Sequence, residues 1–320
     1  MSKVMVTSAK ELIASGMNVN SLRTNALLRK DEWLQLDEVV VDIAKKRLNG
    51  IADLQARGLT LNLGGLGTMV SQYEAQSDMT DANVDMAGVT PGEEDDVTFD
   101  LRSVPVPITH KDFRINIRRL EASRKLGDSI DVTQAEVASR KVAEKLESML
   151  FNGVGVTVEG STIYGYTNHP RRNTGVASGP FSTIGNIYAT ILNMIRDLNA
   201  VRMYGPFMLY VAKDVWPDFL NVYTDGSGET ARDRVLRIPE LMDVKPADVL
   251  TNGHIVMVQM TRDVVDLAVG QDIVTVQWNA LGGMIEYFKV MAAMAPRIKY
   301  DSSNRMGIAH YTGASTPSGS

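Results

Sequence analysis

Cysteine is absent from all 320 residues. Disulfide frameworks, thiolate metal sites and cysteine nucleophiles are therefore excluded, and the composition suits a reducing compartment. Long apolar runs are missing too. No stretch approaches the roughly 20 residues that cross a bilayer. The N-terminus, Met1-Ser-Lys-Val-Met-Val-Thr-Ser, lacks a basic region followed by an apolar core and a small-residue cleavage site. The expectation is a soluble, unexported protein with no membrane partner. The formal net charge of −5 argues against nucleic acid as a partner of the whole surface, because duplex binding normally needs a basic face. A local basic patch stays open. Lysine is absent between Lys46 and Lys111, and residues 58–101 contain no basic residue at all.

Chemistry is equally scarce. The four histidines, His110, His169, His254 and His310, lie far apart along the chain, and none has a second ligand at helical or hairpin spacing. A zinc or facial-triad site needs several converging donors, so they read as isolated structural or surface histidines. No serine occupies a Gly-x-Ser-x-Gly elbow, and no carboxylate pair stands out for acid–base work. The run Gly64-Gly-Leu-Gly67 lacks the Lys and Ser or Thr of a phosphate loop and the strand–helix setting of a dinucleotide fold, which leaves a hairpin turn. Asn168-His-Pro-Arg-Arg-Asn173 sets two arginines at a turn that could hold phosphate, but a subunit contact or a solvated turn is preferred. Glu93–Asp96 lacks the alternating ligands and glycine of a calcium loop and reads as solvated acid. The Asp225-Gly-Ser-Gly228 segment reads as a flexible loop. No catalytic, cofactor-binding or metal residue is assigned, and the chain is expected not to be an enzyme.

What is present is a sizeable core and a pattern of charge. At 44% hydrophobic content the chain can bury one large domain or two moderate ones. Residues 1–30 form an arm that needs something to lie against. Trp33, Leu36, Val40, Ile43, Ala44 and Leu48 recur at helical spacing and predict a helix over Asp31–Leu48, stopped by Asn49-Gly50. Alternating runs at Thr68–Tyr73 and Val97–Leu101 predict two strands of a long hairpin, with the polar segment Met79–Gly88 between them. A second helix spans Asp131–Asn152. Asp131 or Thr133 caps it, Glu136 completes a capping box, Asn152-Gly153 ends it, and Ala135, Ala138, Val142, Leu146, Met149 and Leu150 form its apolar stripe. Arg140, Lys141, Glu144 and Glu147 are read as lying away from that stripe. A boundary falls in the Gly-, Thr- and Asn-rich stretch 153–180. Beyond it the periodicity predicts a helix over Thr183–Leu198, a strand over Phe207–Ala212, a short helix over Asp214–Leu220 capped by Asp214, and a strand over Ile255–Met260. Later strands fall at Ile273–Trp278, Met284–Met291 and Pro296–Tyr300. The class is α+β. The tail Thr312–Ser320 is small and polar, and no internal repeat is visible.

The positive signal is electrostatic. Glu74, Asp78, Asp81, Asp85, Glu93, Glu94, Asp95, Asp96 and Asp100 populate a loop without bases. Lys111, Arg114, Arg118, Arg119, Arg124 and Lys125 crowd the segment just after it, against Asp112 and Glu121. A long acidic loop that cannot build a core of its own, beside a basic segment, suggests docking in trans between copies of the chain. Both could instead be solvated surface.

Taken in order, these parts resemble the major capsid proteins of tailed bacteriophages with the Hong Kong 97-like fold, and the related encapsulin shells. The residues that carry the resemblance are Leu28-Arg-Lys-Asp-Glu-Trp33-Leu-Gln-Leu-Asp-Glu38, the long hairpin, Pro105-Val-Pro-Ile-Thr-His-Lys-Asp-Phe113, the helix closing in Leu150-Phe-Asn-Gly153, and Leu267-Ala-Val-Gly-Gln-Asp272 before a strand. The resemblance implies an N-terminal arm at 1–30 and an extended loop at 58–101. It implies a peripheral domain at 31–57, 102–180 and 277–311 with a spine helix at 131–152, an apical domain at 181–276, and a flexible tail at 312–320. It further implies hexamers and pentamers of an icosahedral phage head enclosing double-stranded DNA without sequence-specific binding. The alternative is an encapsulin compartment packaging a cargo enzyme. The partners would be other copies of the chain, with cement or decoration, scaffolding and portal proteins. The location would be the virion, assembled in the bacterial host cytoplasm. Subunit contacts are expected between Glu93, Glu94, Asp95 and Asp96 on the loop and Arg114, Arg118, Arg119 and Arg124 on a neighbour. The chain has no long helical scaffolding segment ahead of the arm, so assembly help would come from another protein. No cofactor is implied.

One departure matters. The type member of the fold cross-links its shell through a lysine on the extended loop, and residues 58–101 here offer none. Intact particles boiled in denaturant should therefore run as a single monomer band on a gel; a ladder of covalent multimers would show the expectation to be wrong.

Overall fold

The computed structural model describes residues 38–40, 48–76, 86, 99–116, 118, 133–158, 160–223, 228–280, 285–301 and 303–315. The arm at 1–30, most of the helix expected over Asp31–Leu48, the middle of the acidic segment, Asp131, the 224–227 loop and the last residues of the tail lie outside them. Two compact units emerge: Met1–Ser71 with Pro105–Gly165 and Asp266–Arg297, and Gln72–Val104 with Tyr166–Val265 and Ile298–Ser320.

The first unit is built on a four-stranded sheet. Strand β1 (Thr60–Asn62) runs parallel to β11 (Val265–Ala280), with Thr60 opposite Leu267. Strand β12 (Ile285–Ile298) lies between β11 and the edge strand β4 (Ile108–Asn116), antiparallel to β4 with Phe288 opposite Phe113. Those two rings stack at 4.9 Å. The two strands expected at Met284–Met291 and Pro296–Tyr300 are thus one strand. Pro296 is accommodated because it lies past Ala293, where pairing with β4 ends. Between β11 and β12, the Arg297 guanidinium donates in parallel to both oxygens of Asp266, at 2.6 and 2.5 Å, and to Ser71 Oγ at 3.1 Å, all three residues being buried. A fork-on-carboxylate geometry of this kind is what lets an ion pair survive burial.

Helix α2 (Thr133–Asn152) packs against β4. Its six stripe residues are all buried, as the spacing predicts. Thr133 is its first helical residue. The stop also falls as expected: Gly153 has φ +69° and donates to the Met149 carbonyl. The strands β5 (Val154–Val158) and β6 (Ser161–Ile163) then form a short hairpin.

The one misplaced residue on this helix is Glu147. It is buried, not solvated, and its carboxylate accepts from the backbone of Gly50 at 2.6 Å and Ile51 at 3.4 Å. Those residues open α1 (Asn49–Ala56). Asn49-Gly50, expected to end a helix, therefore begins one, capped from about a hundred residues away. Leu48, just before α1, supplies no side-chain cap. Gly50 is needed for contact: a Cβ there would meet Leu150 Cδ2 at 2.8 Å and Phe151 Cε2 at 2.9 Å. Burial outweighs these hydrogen bonds and pushes the Glu147 carboxyl up from 4.5 to about 7, with Asp53 adding to the effect.

The second unit holds a five-stranded sheet in the order β7-β13-β10-β8-β9. Its strands are β7 (Asn173–Val176), β8 (Phe207–Ala212), β9 (Leu241–Ala247), β10 (Ile255–Gln259) and β13 (Ile308–Thr312). β8 and β10 are buried at every position and read as continuous apolar runs because both faces are covered. The sequence boundaries put 173–176 and 308–311 with the peripheral domain; β7 and β13 hydrogen-bond into this sheet instead. Helices α3 (Ile184–Ala200), α4 (Trp216–Phe219) and α5 (Ala231–Val235) accompany it. Asp214 does not cap α4. Its two oxygens accept from the Gly253 backbone, at 3.1 and 2.9 Å. Instead, α5 carries a full capping box between Thr230 and Asp233, and those bonds hold the Asp233 carboxyl below its usual range. The strands β2 (Val70–Gln76) and β3 (Phe99–Pro105) pair as a separate ribbon.

The proton on Glu147 makes the first unit sensitive to pH. The unfolded carboxyl ionises near 4.5 and the folded one near 7, so stability is full below about pH 4.5 and falls by about 3 kcal/mol as pH rises through 7. Glu147→Gln keeps an acceptor for Gly50 and removes the charge. Its unfolding midpoint should lose this component of pH dependence, and a slope between pH 4.5 and 7 identical to that of the unsubstituted protein would contradict the account.

Candidate assembly surfaces

On β4 the side chains alternate. Phe113 and Ile115 turn inward against β12 and the core, while Arg114 and Asn116 are exposed. Lys111 is exposed as well, and Asp112 sits between His110 at 3.4 Å and Lys289 Nζ at 3.7 Å. Just past the strand, Arg118 donates its backbone N–H to Asn116 Oδ1 at 2.9 Å and leaves its side chain exposed. β4 is an edge strand, hydrogen-bonded to β12 alone among the described strands. Arg114 on this edge strand and Arg118 just past its end are thus both exposed in the first unit. Arg119, Arg124, Glu93, Glu94, Asp95 and Asp96 lie outside the described residues.

The base of the β2–β3 ribbon belongs to the second unit. Arg102 lies over the Tyr300 ring, 3.7 Å from its centre, and donates to the Tyr300 carbonyl at 3.2 Å and to Asp100 at 3.0 Å. Tyr73 donates from its hydroxyl to the Ile298 carbonyl at 3.3 Å. With the ribbon held this way, Phe99 and Leu101 point outward, 58% and 59% exposed. They form an exposed apolar pair on one face of a two-stranded ribbon, a candidate contact surface. Attention to charge missed them, although the alternation Phe99, Leu101, Ser103 was available in the sequence.

Beside the ribbon base the second unit has a cleft of about 380 Å³, lined by Tyr73, Glu74, Met203, Asp263, Lys299 and Arg305 among others. Its cations already have partners: Lys299 donates to the Arg262 carbonyl at 2.7 Å and Arg305 to Asp301 at 2.6 Å. No group of three or more His, Cys, Asp or Glu residues is placed to hold a metal among the described residues. Among them, no helix is long and apolar enough to cross a membrane. The turn at Gly64–Gly67 joins β1 and β2, which belong to different sheets, so it is a turn but not a hairpin. Arg172 is engaged inside the second unit, bonded to the His169 carbonyl at 2.8 Å and His310 Nδ1 at 3.1 Å. The histidines are not isolated either. His254 and His310 meet at 3.0 Å, brought together by strand pairing that sequence spacing cannot reveal.

Comparison with solved structures identifies this architecture. The virus-like particle from Pyrococcus furiosus superposes with a TM-score of 0.63 at 18% identity, covering 87% of this chain and 98% of that one. The capsid of Myoviridae phage XM1 gives 0.63 at 14% identity, covering 82% and 92%. The class is therefore the Hong Kong 97-like fold of capsid and encapsulin shells. By sequence the chain belongs to a family of unknown function (DUF6260), which it matches over residues 20–311. It is also 26% identical over 282 residues to the type 1 encapsulin shell protein EncA of Myxococcus xanthus (strain DK1622), covering 85% of this chain and 91% of that protein. To a diheme-cytochrome-encapsulin shell fusion protein of Kuenenia stuttgartiensis it is 26% identical over 290 residues, covering 90% and 73%.

Because Phe99 and Leu101 are already solvated, replacing both by serine should change the stability of the unassembled chain by less than about 0.5 kcal/mol each. The same double substitution should lower the fraction of protein sedimenting as large particles. Wild-type assembly by the double variant would remove this ribbon face from the contacts.

Proposed function

We propose that the chain is a structural shell subunit of the encapsulin type, assembling with copies of itself into a closed compartment around a protein cargo. The observation that carries this reading is the sequence match to EncA, which runs through 91% of that shell protein. A second relative, the Kuenenia stuttgartiensis fusion, is again a shell protein. The work of such a subunit is mechanical, and no residue is given a catalytic role. Assembly in the bacterial cytoplasm follows from this reading.

A phage head enclosing double-stranded DNA is the second reading, favoured by the equal TM-score of the phage XM1 capsid. In that case portal, scaffolding or cement proteins would be partners and the virion the destination. Under either reading, the four-stranded sheet with α2 serves as the peripheral domain and spine, and the five-stranded sheet as the apical domain. Loop residues Glu93–Asp96 of one copy meet Arg114, Arg118, Arg119 and Arg124 of the next. The exposed positions of Arg114 and Arg118 support that contact. Heterologous contacts of this kind close into rings and then into shells.

Electron microscopy of the purified protein, with its mass in solution, tests the assembly directly. Closed particles containing co-purified protein support the encapsulin reading, particles filling with DNA support the phage head, and a uniform monomer or dimer at every salt concentration refutes both. Replacing Glu93, Glu94, Asp95 and Asp96 by lysine should shift the population from particles to folded free subunits; full assembly would dismiss the charge contact.

A further inference from the structure

Arg172, His310 and His254 lie in a line across three adjacent strands of the second unit. Arg172 immediately precedes β7, His310 sits within β13 opposite Thr174 of β7 and Val256 of β10, and His254 immediately precedes β10. The distances are 3.1 Å from Arg172 Nε to His310 Nδ1 and 3.0 Å from His310 Nε2 to His254 Nδ1.

Donor chemistry fixes every proton in this line. A guanidinium only donates. His310 Nδ1 therefore accepts, and its single N–H is on Nε2. That N–H donates to His254 Nδ1, which leaves the His254 proton on its own Nε2. Both rings are neutral, each in one tautomer. A further proton has no acceptor at either joint: on His310 Nδ1 it would face the Arg172 N–H, and on His254 Nδ1 it would face the His310 N–H.

We propose that the Arg172–His310–His254 chain is a proton-operated latch, tying the starts of β7 and β10 to the middle of β13 at neutral pH and releasing them in acid. The charged surroundings agree. Arg172 is the cation facing His310, and burial with His254 and Arg172 lowers His310 to about 4. Burial also lowers His254, and Asp214, across from it, opposes the shift without cancelling it. Asp214 is tied to the Gly253 backbone just before His254. A third neutral ring stands nearby in sequence: buried His169 accepts the Arg171 N–H on Nδ1 at 3.1 Å. Burial, with Arg172, Arg171 and Arg102, lowers it to about 4. Unfolded histidines bind protons near 6.5 and these folded rings take theirs only at lower pH, so the latch's contribution to stability is fully present above about pH 6.5 and is lost as pH falls toward 4.

The test is per-residue titration of the intact protein by histidine C2-hydrogen exchange read by mass spectrometry. His254 and His310 should titrate well below the ordinary value for histidine, together with faster amide exchange in peptides covering β7, β10 and β13 over the same pH range. Ordinary titration near 6.5 for either ring, or unchanged amide exchange while they titrate, overturns the proposal. A second measurement uses His310→Gln, whose amide can accept from Arg172 and donate to His254 without titrating. Its melting temperature should fall less than that of the unsubstituted protein between pH 6.5 and 4.5. An equal fall in both counts against the latch. These readouts do not depend on whether the shell holds protein or DNA.

Discussion

The first unit depends on the Glu147 carboxyl group reaching the N-terminus of α1. One side chain near the end of α2 satisfies two backbone donors of a helix about a hundred residues earlier, and it does so in a dry site. Unsatisfied donors at a buried helix start would cost about 1–3 kcal/mol each. The approach is possible only because residue 50 is glycine and allows Leu150 and Phe151 to close on the backbone. With α1 seated on α2 and α2 packed on β4, the edge strand acquires a fixed backing. Its exposed side then carries Arg114 and, just beyond the strand, Arg118 is exposed as well.

That arrangement suits a protein whose activity is contact rather than chemistry. On the proposed reading, the described residues offer contact surfaces: a basic rim on an edge strand and an exposed apolar face on a two-stranded ribbon. Edge strands and exposed apolar faces are liabilities in a monomer. In a subunit of a shell they are the material of assembly.

Protons act on the two units in opposite senses. In the first, Glu147 prefers its proton, so raising pH through 7 weakens the unit. In the second, His310 and His169 refuse theirs, so lowering pH from 6.5 toward 4 weakens that unit. Burial is the leading cause in every case, because desolvation disfavours whichever form is charged. Carboxylic acids and imidazoles differ only in which form that is.

The sequence alone was enough for the class, the stripe and stop of α2, the apolar strands β8 and β10, and the family likeness carried by the order of the parts. Each depends on local periodicity or on motifs close along the chain, which backbone geometry enforces wherever the chain goes. Spacing misled at Asn49-Gly50, where a stop signal opens a helix, at Glu147, whose charge read as solvated, and at the histidines, which looked solitary. Each of those outcomes depends on a partner between about fifty and a hundred residues away. Tertiary packing alone decides whether a glycine makes room for a neighbour, whether a carboxylate meets backbone donors instead of water, and whether two imidazoles share a hydrogen bond.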